Sequence, residues 1–120
     1  MEIGTKDALI MAAGGMAILT AAVHQVLGEL RLFSTMDPAE VPQKPILRLV
    51  WVNGSLAWAG LGVLLFMAPT FGSQPARHWI LAIFVLVLGS AAIWAFLLKR
   101  NHPGWMLLST AVGLALASLW

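Results

Sequence analysis

Charge is distributed very unevenly along this chain. Ala8 to Gly28, Leu49 to Ala76, His78 to Leu98 and Asn101 to Trp120 contain no Lys, Arg, Asp or Glu, and polar residues gather between these stretches. A helix rises about 1.5 Å per residue, so about 20 apolar residues carry it across a hydrocarbon layer. The pattern predicts four transmembrane helices, at about 6–32, 46–68, 78–98 and 103–120. The breaks have turn chemistry. Ser34, Thr35, Asp37, Pro38, Pro42 and Pro45 mark the one substantial loop, with Asp37 and Glu40 as caps of a short surface turn, because proline disfavours helix in the residue before it. Pro69, Gly72 and Pro75 end the second helix. Asn101, His102, Pro103 and Gly104 form a tight turn that makes the last two helices an antiparallel hairpin. The expected fold is all-α: one polytopic domain, an up-down bundle of four transmembrane helices, the last short but able to cross with little tilt.

Composition agrees with this pattern. The 120 residues are 60% hydrophobic and 10% charged, about two-fifths of the charged share of a soluble domain. Such a chain has too little polar surface to clothe a globule in water. The absence of cysteine excludes disulfides, thiolate metal sites and thiol nucleophiles. Seven Lys and Arg at helix ends are too sparse for a nucleic-acid footprint, and no nucleic-acid role is assigned. Lys6 ahead of an apolar run has the outline of a signal peptide. Glu2 and Asp7 offset it, and no small-x-small cleavage pattern follows, so the run reads as the first membrane helix.

Arg31, Lys44, Arg48, Lys99 and Arg100 fall on one side of the predicted bundle, and only Lys6 and Arg77 on the other. The positive-inside rule then places the first group in the cytoplasm and both termini outside, periplasmic in a bacterial inner membrane. Trp51, Trp79, Trp94, Trp105 and Trp120 lie near predicted helix ends, where amphipathic rings anchor at the headgroup boundary.

Two rows of small residues suggest close packing. Ala13, Ala17 and Ala21 repeat at intervals of four on helix one, followed on the same face by Gln25 and Glu29. Small residues at this spacing let membrane helices approach closely, so the stripe is expected to face the bundle. Ser109, Gly113 and Ala117 form a comparable row on the last helix. That row either packs on helix one or meets a partner subunit or a second copy.

His24, Gln25 and Glu29 are the densest polar set near a predicted span, and intramembrane ionisable groups are costly enough to suggest function. His24 precedes Arg31 by seven residues and so lies about 10 Å deeper. On helix two, Arg48, Trp51, Ser55 and Trp58 share a side, and Asn53 is deep enough to call for an interhelical partner worth about 1 kcal/mol. Two readings of the candidate site His24, Gln25, Glu29, Arg31, Arg48 and Asn53 stay open. In one, these groups satisfy each other, Ser55 and loop backbone, while Arg48 snorkels or reaches Glu29 or anionic lipid. In the other, His24 ligates haem or a chlorophyll-type pigment, binds a quinone headgroup, or relays a proton with Glu29. A bis-histidine haem would need His102, the other histidine on that side.

No paired carboxylates within a span, Ser-His-Asp set, HExxH or phosphate loop is present, so no catalytic residues and no metal ligands are assigned. His24 to Glu29, written HQVLGE, with Arg48, Trp51 and the run SLAWAG from Ser55 to Gly60, resembles a group of small bacterial four-helix membrane proteins that brings no established activity. The resemblance covers mainly the first two helices and implies fold and bacterial origin. In that group a histidine often follows the tryptophan, where this chain has Val52. The function expected is a non-catalytic accessory or assembly subunit of a larger bacterial membrane complex, preferably a respiratory or photosynthetic one. Its partners are then the lipid bilayer and other membrane subunits, or a second copy through self-association. The alternatives are a homo-oligomeric small transporter or channel, a quinone-, lipid- or cofactor-binding membrane protein, and an enzyme using His24 and Glu29 as acid and base.

Overall fold

The computed structural model describes residues 3–98 and 101–120. All regular elements among the described residues are helical: α1 (Thr5–Leu27), α2 (Lys44–Met67), α3 (Gln74–Leu98) and α4 (Gly104–Ala117). A π-helical turn, Gly28–Leu32, and a 3-10 turn, Phe33–Thr35, continue α1 without a break, so one apolar helical run covers 5–35.

Several helix ends differ from expectation. Lys44 and Gln74 each open a helix whose second residue is proline, earlier than the prolines suggest. In a first turn the missing proline N–H had no intrahelical acceptor to lose. Ser73 caps α3: its Oγ accepts the Ala76 N–H at 3.3 Å and its carbonyl accepts the Arg77 N–H. Asp37 shapes the first loop by accepting the Ala39 N–H at its Oδ1, 2.9 Å away. The last helix is shorter than expected. With 14 residues, α4 is about 21 Å long, and turns complete the chain beyond it. Among the described residues three helices are long and apolar enough to cross a membrane, and α4 is a shorter apolar helix. Lys99 and Arg100, which carry part of the orientation argument, lie outside the described residues, as does Glu2.

α1 is the centre of the packing. It lies mostly against α2 and then α4, while α3 packs on α4 and only sparingly on α2. Ala13, Ala17 and Ala21 are buried. α1 and α2 cross at Gly14 and Gly62, where a Cβ added to Gly14 would sit 2.5 Å from the Gly62 carbonyl oxygen and 2.6 Å from the Phe66 nitrogen. These obstacles are backbone atoms, so the two glycines set the separation of the helices. Phe84 and Leu88 from α3, Leu65 from α2, and Leu108, Ala111 and Ala115 from α4 complete the core. The buried row of α4 is therefore Leu108, Ala111, Ala115 and Ser118, whereas Ser109, Gly113 and Ala117 are exposed. Arg77 pairs with Asp7 and ties the start of α3 to the start of α1.

Candidate ligand cavity

The register of α1 changes where it meets the start of α2. The Phe33 N–H bonds the Gly28 carbonyl in the i→i+5 pattern of a π turn, and the Gly28 N–H is shared between the Gln25 and His24 carbonyls. Such turns recur at functional positions. Facing them, Trp51, Ser55 and Trp58 follow one another at i, i+4 and i+7 along one side of α2. The Trp51 indole N–H donates to the His24 carbonyl at 2.9 Å, and its ring stacks on the imidazole with centroids 3.8 Å apart and planes 8° from parallel. Gly28 makes this approach possible, since a Cβ there would lie 2.6 Å from Trp51 Cε2 and 2.8 Å from Cδ1. Buried Phe33 meets the same indole edge-on, and Trp58 leans on the imidazole with centroids 4.5 Å apart.

Ser55 fixes the remaining freedom of the histidine ring. Its hydroxyl lies 3.3 Å from the Trp51 carbonyl, the back-bond habitual for serine in a helix, and 2.8 Å from His24 Nδ1. A hydroxyl has one proton to give. It either bonds the Trp51 carbonyl while Nδ1–H donates to Oγ, or goes to Nδ1 across the shorter contact; in both tautomers Nε2 has no partner among the described residues.

His24 borders a half-enclosed cavity of about 530 Å³, within the range of sites that hold small organic molecules. All four helices contribute to it, in a bundle where α3 packs only sparingly on α2, and α3 presents the small side chains Ala91 and Ala95 there. Its walls are mostly apolar. Besides His24, the polar side chains are Thr20, Arg31 and His102, together with the indoles of Trp51, Trp58 and Trp105. Thr20 donates its hydroxyl to the Met16 carbonyl at 2.7 Å. Arg31 has no ion-pair partner among the described residues. His102, in the turn before α4, accepts the Gly104 N–H at Nδ1 from 3.0 Å, so the neutral ring carries its hydrogen on Nε2.

The residues singled out from the sequence separate into three places. His24 and Arg31 line the cavity. Gln25, Glu29 and Arg48 form a different chain of contacts beside it: Arg48 holds Glu29 at 2.8 Å, and Gln25 Nε2 donates to Glu29 Oε1 at 3.2 Å. Gln25 Oε1 is buried with no hydrogen-bond partner among the described residues. Asn53 corrects the expectation of an interhelical partner. It falls midway between Trp51 and Ser55, on the far side of α2, and is exposed with no hydrogen bond among the described residues. Trp51 is also reassigned. Its indole N–H finds a carbonyl inside the protein, so it is a packed wall of the site, whereas Trp79, Trp94 and Trp120 are exposed.

His102, expected from the sequence in a turn and as the second histidine a bis-histidine haem would need, and Trp105, expected as an anchor, both line the site. The spacing of Trp51, Ser55 and Trp58 was a readable signal. The up-down order of the helices placed the α3–α4 turn on the His24 side, but nothing in the sequence brought Trp105 to the imidazole. Comparison of the chain with family models, with curated proteins and with solved structures finds no match.

Proposed function

We propose that this chain is a polytopic protein of a bacterial inner membrane, an up-down bundle with both termini on the periplasmic side, that binds a small amphiphile in the cavity beside His24. Three helices of suitable length and hydropathy support the membrane setting. So does the surface, where Leu30, Ile46, Leu86 and Leu98 are 64% to 74% exposed. Lipid covers such side chains at no cost, and water does not. The molecule is 55 Å along its longest axis, enough to traverse the about 40–45 Å of a bilayer with its headgroups. At about 21 Å, α4 is shorter than the hydrocarbon layer, a mismatch that local thinning or the terminal turn accommodates.

The observation that carries the ligand reading is an imidazole held rigid by Trp51 and Ser55, with an unpaired nitrogen, on the wall of an apolar cavity. Purification in mild detergent followed by solvent extraction and mass spectrometry tests it. An amphiphile in near-stoichiometric amount is expected with the wild type and is expected to be lost in Ala95→Trp, which fills the cavity. Its absence from the wild type, or its retention in that variant, contradicts the reading.

The exposed side of α2 favours a second role, as an accessory subunit of a larger bioenergetic membrane complex. Asn53 presents an unpaired amide on an otherwise apolar surface, and in lipid such a group is costly until another helix supplies its hydrogen bond. The outward row Ser109, Gly113 and Ala117 offers a second place for close approach, with nothing within 4 Å of a Cβ at Gly113. Co-purification of a membrane partner that Asn53→Leu releases supports this role. Isolation of the chain always alone and monodisperse counts against it.

A further inference from the structure

Resting on the cavity reading above, we propose that the ligand is a membrane-soluble quinone or quinol, with one ring oxygen taken by His24 and the other by His102. The two histidines border one cavity. The Gly104 N–H leaves Nε2 of the neutral His102 ring as a donor, and Nε2 of His24 donates or accepts according to the tautomer that meets Ser55. A quinone accepts from two such donors, and a quinol donates to a bare His24 Nε2 while accepting from His102.

His24 lies within α1 and His102 in the turn before α4, and both line the cavity. A para-dioxygenated six-membered ring carries an oxygen at each end and so offers one to each imidazole. The indoles of Trp58 and Trp105 supply flat walls for such a ring, and the small side chains of Ala91 and Ala95 line the same cavity.

Two other ligand chemistries fit less well. A fatty acid or phospholipid would place its anion at Arg31, and its alkyl chain would then lie against His24 Nε2, which gains no partner. A bis-histidine haem needs a bare nitrogen from both rings. His102 has used its own to accept the Gly104 N–H, so Nε2 of the neutral ring carries a hydrogen and not a lone pair.

The full chain in lipid nanodiscs, titrated with decyl-substituted benzoquinol and followed by tryptophan fluorescence, tests the proposal, with decanoic acid and hemin as parallel probes. Saturable quinol binding is expected, weakened about five- to tenfold by His24→Leu and by His102→Ala, the factor for one hydrogen bond in each case. His102 lies in an exposed turn, so its variant keeps the test intact even where His24→Leu does not fold. Quinol binding that ignores both substitutions overturns the proposal. So does saturable binding of decanoic acid without quinol binding, or a hemin absorption band abolished by His24→Leu; in either case the cavity reading stands. Failure of all three probes, with no amphiphile co-purifying, removes the cavity reading as well.

Discussion

Replacing Gly28 with alanine sets two effects of opposite sign against each other. The backbone at Gly28 is ordinary right-handed helix, φ −58° and ψ −50°, so alanine fits the conformation and by helix propensity alone should stabilise by about 1 kcal/mol. The space above it is filled. The new Cβ would lie 2.6 Å from Trp51 Cε2 and 2.8 Å from Cδ1, so the indole must move. Overpacking of this kind costs about 1–3 kcal/mol. Moving the ring also breaks its hydrogen bond to the His24 carbonyl, about 1 kcal/mol, and its stack on the imidazole, about 1 kcal/mol. Packing outweighs propensity, and the net expectation is a loss of about 2–4 kcal/mol. Unfolding in mixed micelles with rising dodecyl sulfate, followed by circular dichroism, measures it. Gly15→Ala is the control: nothing lies within 4 Å of its Cβ, and it should gain about 1 kcal/mol. A Gly28→Ala protein as stable as the wild type, or more so, would refute the packing argument.

Three further outcomes follow from the same contacts. Gly14→Leu should abolish the native α1–α2 crossing, because the obstructing atoms are backbone of Gly62 and Phe66 and cannot turn aside; a folded monomer on size exclusion with native helicity would contradict this. Trp51→Phe keeps an aromatic stack on His24 but loses the indole donor, and should lower unfolding stability by about 1 kcal/mol in the same micelle assay. Glu29→Gln combined with Arg48→Gln should lower the unfolding midpoint only slightly, since Arg48 is 56% exposed and Glu29 half-buried; a large drop would mean that these side chains carry more of the fold than a pair open on one side allows.

The distribution of apolar residues was enough to find four helices, because a solvent-exposed charge is the one thing an apolar segment lacks and loops are rich in it. Ala13, Ala17 and Ala21 were legible as a packing stripe for the same reason: a four-residue repeat keeps one face of a helix. The helix starts at Lys44 and Gln74 were misread because a proline one position into a helix looks, in sequence, like a proline ending one. On α4 the row Ser109, Gly113 and Ala117 does not pack on α1, and the buried row Leu108, Ala111 and Ala115 lies one to two residues away; both are rows of acceptable size, and only the neighbouring helices choose between them.

The site was half legible. His24, Ser55 and Arg48 stand out as polar groups in apolar surroundings, and pairing Arg48 with Glu29 needed only charge. Gly28 was visible as a letter in HQVLGE, but its purpose depends on an indole 23 positions further along the chain, and nothing local reports that. Asn53 shows the converse failure. Burial was inferred from depth along α2, whereas the angular position two residues from Trp51 and Ser55 turns it outward.

The arrangement on which the functional reading depends is the fixed ring of His24 beside an open cavity, and nitrogen-15 correlation spectra of histidine-labelled protein in nanodiscs observe it directly. Each neutral ring should show a single tautomer: His102 protonated at Nε2 with a bare Nδ1, and His24 held in one form by Ser55. A His24 signal averaged between tautomers, like that of an imidazole free in water, would contradict it.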